Sequence, residues 1–226
     1  MVAQASDRLR LKVCCIASVQ EAQIAVRFGA DAIGLVSAMP SGPGPIPDEL
    51  IAEIALTVPP SVATFLLTQE TSVEAIVAHA RRTNTTVVQL VDWVTPQDHR
   101  RIRAELLGIK VVQVLHVTDE GVLDQARMAG ETVDALLLDS GRPEAPVREL
   151  GGTGRVHDWK LSRQVVEQSP VPVFLAGGLD AANVGEAVAR VRPFGLDVCR
   201  GVRTDGQLDA GKLRAFVSAM GAAPRL

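Results

Sequence analysis

The stretch Val171-Pro172-Val173-Phe174-Leu175-Ala176-Gly177-Gly178-Leu179 opens the segment that decides the fold. A short run rich in branched and large apolar residues stops at a glycine pair. Residues Ala181–Val191 follow with apolar side chains at helical spacing, and then comes a second apolar run, Leu196-Asp197-Val198-Cys199, closed by Arg200-Gly201. This reads as strand, turn, helix, strand. Runs that are apolar without alternation belong to strands covered on both faces, which is the environment of a parallel sheet.

Working outward, the same unit fills the chain. Strands are predicted at Leu11–Ile16, Ala32–Val36, Ala63–Leu67, Val87–Val91, Lys110–Val117, Ala135–Ser140, Val171–Ala176 and Leu196–Cys199. Helices are predicted at Val19–Phe28, Asp48–Thr57, Ser72–Thr83, Pro96–Leu107, Glu120–Ala129, Asp158–Gln168, Ala181–Val191 and Asp209–Ala219. Gly29, Gly108 and Gly130 stand where helices stop, and Ser18, Ser72 and Asp158 where they start. Eight strands alternating with eight helices predict an α/β fold of the closed (β/α)8 (TIM) barrel type. The alternative, an open doubly wound sheet, usually places glycines after its first strand; here that turn is Cys15-Ile16-Ala17-Ser18. The expected organisation is one barrel domain over residues 1–226, with 1–10 a polar N-terminal extension.

Composition narrows the function. A chain of 226 residues with 47% apolar content and a net charge of −3, its Lys and Arg scattered, carries no electrostatic footprint for nucleic acid. There is no apolar run of the ~18 residues that a membrane span needs, and residues 1–10 lack the apolar centre of a signal peptide, so a cytoplasmic location is expected. Three cysteines, two of them adjacent, make neither a disulfide framework nor a zinc spacing; no metal or cofactor is expected, and the thiols are read as reactive candidates.

In a barrel of this type the chemistry sits where strands end. Strand one ends at Cys14-Cys15, strand six at Asp139-Ser140, strand seven at Gly177-Gly178 and strand eight at Cys199-Arg200-Gly201. Glycines after strands seven and eight let backbone N–H groups approach an anion, so Gly177, Gly178, Gly201 and Arg200 are candidate phosphate ligands. Gly152 and Gly154, in the Gly-rich loop after strand six, join them. Cys14 and Asp139 suit proton transfer as general base and general acid. As residue types they equally suit a buried apolar thiol and a helix cap, and position alone leaves both readings open. The loop Ser37–Pro47, rich in Pro and Gly, and the long segment Gly141–His157 lie on the same face.

These motifs resemble the phosphoribosylanthranilate isomerases over nearly the whole chain. Lys12-Val13-Cys14-Cys15-Ile16 stands where the family reads K-I-C-G-I, and Gly29 to Val36 matches its G-A-D-A-[IL]-G-[FL]-V. Val87-Val88-Gln89-Leu90, Leu136-Leu137-Leu138-Asp139-Ser140, Gly151 to Trp159, Leu175 to Leu179 with Asn183-Val184, and Asp197-Val198 with Gly201-Val202 follow in the family's order and spacing. The resemblance implies an Amadori rearrangement of N-(5-phosphoribosyl)anthranilate in tryptophan biosynthesis, without metal or organic cofactor, in a monomer or homodimer. It assigns Cys14 as the base at sugar C2 and Asp139 as the ring-opening acid, with the phosphate held by the glycines and Gln89 near the substrate.

The chain also departs from that pattern. The S-P-R of the loop after strand two, whose arginine meets the anthranilate carboxylate, is here Ser41-Gly42-Pro43, and the histidine of Q-L-H-G-D-E is Val91. Arg200 and Arg203 are the candidate replacements for the lost cation. His157, in a position usually aromatic, is placed to reach the pocket, but as a lone loop histidine it is expected to be exposed. The departures leave two alternatives: a related phosphosugar isomerase with another substrate, or a non-catalytic barrel that binds a phosphorylated ligand. Barrel closure is expected to bring Cys199 near Cys14 and Cys15 and to make the site sensitive to oxidation.

Overall fold

A computed structural model describes residues 8–40, 42–141 and 157–222. Eight parallel strands, β1 (Arg10–Val13), β2 (Ala32–Val36), β3 (Ala63–Thr68), β4 (Val87–Leu90), β5 (Lys110–His116), β6 (Ala135–Asp139), β7 (Val173–Leu175) and β8 (Gly195–Val198), close into a barrel in sequence order. Closure pairs β1 with β8 in the register Arg10↔Gly195 to Val13↔Val198. Around the barrel lie α1 (Val19–Arg27), α2 (Asp48–Thr57), α3 (Val73–Thr83), α4 (Pro96–Glu105), α5 (Gly121–Gly130), α6 (Trp159–Gln168), α7 (Val184–Val191) and α8 (Ala210–Ala222). The predicted order and fold class are found. No helix among the described residues is long and apolar enough to cross a membrane.

The strands are apolar on both faces because each face has its own core. Leu11, Val13, Val88, Leu90, Leu136, Leu138, Val173, Leu175, Leu196 and Val198 pack outward under the helices. Alternate residues, among them Cys14, Phe65, Val87, Val112, Leu137, Phe174 and Ala176, fill the lumen. This period of two determines which residues reach the chemical face: the inward set continues upward to Cys14, Gln89, Asp139 and Cys199.

At its N-terminal end the lumen is plugged by aromatic rings. Phe174 meets Phe65 and Phe194 edge-on, at centroid distances of 6.2 and 5.4 Å. The rim is fastened twice by one device, an aspartate placed just before a strand. Asp31 accepts from the Leu11 N–H at 2.9 Å and pairs with Arg10, while Asp134 accepts from the Val111 N–H at 2.9 Å and pairs with Lys110.

Two boundaries differ from expectation for identifiable reasons, and one connection holds elements that were not expected. Strand one stops at Val13 instead of Ile16 because Cys15 adopts φ 62°, a left-handed conformation that no strand contains. Helix α7 begins at Val184 instead of Ala181 because the Asp180 carboxylate takes the N–H groups of Ala182 and Asn183 and holds them in a turn. After β8 the chain makes a 3₁₀ turn (Arg200–Val202) and a small hairpin of β9 (Arg203–Thr204) and β10 (Gln207–Leu208), which the sequence reading did not anticipate.

Candidate active site

Cys14 directly follows β1, and its backbone N–H donates to the Val198 carbonyl at 2.8 Å, so β8 holds it in the strand register. Its side chain points into the lumen and is 5% exposed. Gly34 on β2 makes the room: a Cβ there would lie 2.6 Å from Cys14 Sγ and 3.1 Å from Lys12 Nζ. Lys12, two residues earlier on the same face, is fully buried with Nζ 2.8 Å from Asp197 Oδ2 and 5.1 Å from the Phe65 ring centroid. Burial opposes its charge, but the Asp197 carboxylate more than offsets this and raises the ammonium above its ordinary pKa. A fixed positive charge therefore stands beneath the thiol. Sequence grounds alone give Lys12 no role, although it stands out as a lone cation inside an otherwise apolar strand.

Asp139 closes β6. Its Oδ1 accepts from the Ser140 N–H at 2.7 Å, which turns the carboxylate at the strand end. His116 on β5 stands beside it in register. The His116 Nε2–H donates to the Val91 carbonyl at 3.0 Å, leaving Nδ1 buried with no partner among the described residues. His157 is not the exposed loop residue expected. It is half-buried, with Nε2 2.8 Å from Ser162 Oγ, and its Nδ1 is likewise buried and unpartnered among the described residues. Burial lowers the pKa of both imidazoles, partly countered by the nearby Asp139. Two imidazoles whose charged form burial disfavours thus stand near the carboxyl group. His116 went unnoticed in the sequence, although a polar residue at a strand end was the criterion used elsewhere.

Between the strands that carry Asp139 and Cys14 lie the ends of β7 and β8. Gly177 (φ 84°) and Gly178 (φ 62°) turn the chain in a way that L side chains resist, and Asn183 Nδ2 fixes the turn by donating to the Gly178 carbonyl at 2.8 Å. Gly201 is required by contact: a Cβ there would lie 2.0 Å from the Leu179 carbonyl oxygen. The two turns are therefore packed against each other. Arg200, beside them, is exposed. Gly152 and Gly154 lie outside the described residues, as does Ser41.

Gln89 lies on the lumen face of β4, buried, and its Oε1 has no partner among the described residues. Arg203 requires a correction. Named above as a candidate substrate cation, it is buried and mostly engaged, with Nε alone lacking a partner among the described residues. It grips both Glu21 oxygens at 3.0 and 3.1 Å, and donates to the carbonyls of Gly206 at 2.9 Å, Cys14 at 3.2 Å and Cys15. Glu21 in turn accepts from the backbone N–H groups of Ala17 and Leu208. A bidentate pair of this kind ties the turn after β1, helix α1 and the β9–β10 hairpin together, and leaves only the Nε–H of the guanidinium without a partner among the described residues. Arg200 remains as the candidate cation.

The profile of the family described as N-(5'phosphoribosyl)anthranilate (PRA) isomerase matches residues 11–219. The N-(5'-phosphoribosyl)anthranilate isomerase of Haloferax volcanii is 38% identical, over 93% of this chain and 92% of its own. Isomerase 2 of Methanosarcina mazei is 36% identical, over 92% of each. Among solved structures, the phosphoribosyl anthranilate isomerase of Thermotoga maritima superposes with a TM-score of 0.81 at 29% identity, over 95% of this chain and 99% of that one. Another, in complex with reduced 1-(o-carboxyphenylamino)-1-deoxyribulose 5-phosphate, gives 0.78 at 26% identity with the same coverage. The lumen thiol after β1, the carboxylate ending β6 and the paired glycine turns thus stand in a chain that belongs to the N-(5'-phosphoribosyl)anthranilate isomerase family.

Proposed function

We propose that the chain isomerises N-(5'-phosphoribosyl)anthranilate to its aminoketose in tryptophan biosynthesis, with Cys14 as general base and Asp139 as general acid. One observation carries the assignment. Barrel order runs β6, β7, β8, β1, so the two glycine turns lie between the acid's strand and the base's strand. A phosphate seated on Gly177, Gly178 and Gly201, with Arg200 beside it, leaves the sugar lying between Asp139 and Cys14.

Asp139 protonates the ribose ring oxygen, the C1–O bond breaks, and the anilino nitrogen takes the positive charge as an iminium. The Cys14 thiolate then removes the proton from C2, and the C–H electron pair forms the C1–C2 double bond and neutralises the nitrogen. The enaminol becomes the ketone as C1 gains a proton and the C2 hydroxyl loses one. The proton taken by Cys14 equals the one given by Asp139, so the reaction is redox-neutral and needs only these two groups to move protons. Gln89 Oε1, buried without a partner, is available to a donor on the bound substrate. The alternative role for Arg200, in place of the phosphate contact, is as the cation for the anthranilate carboxylate where the family arginine is lost. The activity is placed in the cytoplasm, in a monomer or homodimer.

The test is genetic. The gene is expected to restore growth of a tryptophan auxotroph that lacks this isomerase, and the same gene with Cys14→Ala is expected not to. Failure of the wild-type gene despite soluble expression, or rescue by the variant, refutes the assignment.

A further inference from the structure

Cys15 stands where the family places glycine, and its φ of 62° explains that glycine. For an L residue the left-handed region costs ~1–2 kcal/mol, so this chain holds a side chain where a bare backbone is easier. The space is tight as well: a Cβ on Gly44, in the loop after β2, would lie 2.7 Å from Cys15 Cβ. Strand alternation alone would turn Cys15 out of the lumen, opposite to Cys14. The left-handed residue breaks the alternation, and both thiols join the lumen cluster.

There Cys15 meets Cys199. The seam register sets Val13 against Val198, so position 199 comes level with Cys14 and one residue short of Cys15. The two Sγ atoms lie 2.6 Å apart, closer than unbonded sulfurs normally rest, and all three cysteines are free thiols. Their surroundings differ. The hydrogen bond from Cys15 and the charge of Arg203 lower the Cys199 pKa against its burial, whereas hydrogen bonding to Cys14 and Cys199, with burial, pushes Cys15 well up. Cys199 is half-buried, whereas Cys15 is buried.

We propose that Cys15 and Cys199 form a redox-active dithiol that closes to a disulfide on contact with a hydroperoxide and leaves Cys14 a free thiol. The Cys199 thiolate attacks the O–O bond: an S–O bond forms, the O–O bond breaks, and the alcohol or water leaves after taking a proton. The Cys15 sulfur then attacks the resulting sulfenic sulfur; the S–S bond forms and the S–O bond breaks. The departing hydroxide takes the Cys15 proton and leaves as water. In sum, two thiols and one hydroperoxide give one disulfide, one alcohol (or water) and one water. Cys14, whose S–H or thiolate is the group that the proposed isomerisation uses, stays outside the bond. The crosslink does not depend on that assignment.

The experiment treats the full chain with hydrogen peroxide, blocks free thiols with iodoacetamide, and maps the products by tandem mass spectrometry. The expected result is an intact mass lower by two hydrogens before blocking, a peptide linking Cys15 to Cys199, alkylated Cys14, and full reversal by dithiothreitol. Cys199→Ser and Cys15→Gly, the latter suited to the left-handed backbone, are expected to yield no link while remaining folded by circular dichroism. A link that includes Cys14, oxidation of Cys14 while Cys15 and Cys199 remain thiols, or no link at all would overturn the proposal.

Discussion

The two ends of the barrel are built on different principles. At the N-terminal end the rim carboxylates are paired: Asp31 and Asp134 each take a strand N–H and a cation, and three phenylalanines plug the lumen above them. At the C-terminal end the chain holds left-handed backbone at Cys15, Gly177 and Gly178, and buried polar atoms without described partners at Gln89, His116 and His157. One end is satisfied, and the other holds strain and unused hydrogen-bonding capacity where a ligand is to bind. Stability and chemistry are thus separated along the barrel axis, with the Lys12–Asp197 pair at the boundary.

Substitutions test that division. The largest effects belong to the proton-transfer pair. Cys14→Ala and Asp139→Asn are each expected to lower kcat by ~10²–10⁴-fold while the thermal midpoint stays near wild type, read by steady-state kinetics and calorimetry. Next is Arg203→Ala, which leaves the half-buried Glu21 without its cation, though still held by the Ala17 and Leu208 N–H groups, and is expected to cost up to ~3 kcal/mol in denaturant unfolding. If Arg203 instead served the substrate, KM would rise with stability unchanged.

A pH titration of stability gives a smaller effect. The pKa of His116 and His157 is lowered by burial, so the unfolded chain takes up protons first as pH falls. Stability is therefore present above about 6.5 and declines below it, by at most ~1.4 kcal/mol per pH unit for each group. His116→Gln is expected to flatten the decline. The smallest effect belongs to the closed end: Phe194→Leu should cost under ~1.5 kcal/mol and change kcat/KM less than about twofold. A large kinetic effect there would break the separation of the two ends.

The fold was legible because it depends on local pattern. Doubly apolar runs such as Val171–Ala176 and helical spacing such as Asp48–Thr57 are written residue by residue, and eight repetitions admit few architectures. The strand-end rule likewise reached Cys14, Asp139 and the glycine turns. What escaped depends on contacts between distant residues. Arg203 reads as a candidate substrate cation until α1 brings Glu21 against it across a sequence separation of 182. Lys12 reads as a lone cation inside an apolar strand until closure brings Asp197 to 2.8 Å. Cys15 reads as a continuation of β1 until its left-handed φ ends the strand. His116 was accessible to the strand-end rule, yet its importance rests on the neighbouring Asp139, which only strand register provides.

The account stands most directly on turnover. Purified wild-type protein, mixed with freshly generated N-(5'-phosphoribosyl)anthranilate and followed by loss of substrate fluorescence, is expected to show saturable conversion with kcat/KM in the usual enzymatic range of ~10⁴–10⁸ M⁻¹s⁻¹. A folded wild-type protein that shows no conversion above the Cys14→Ala, Asp139→Asn double variant would contradict it.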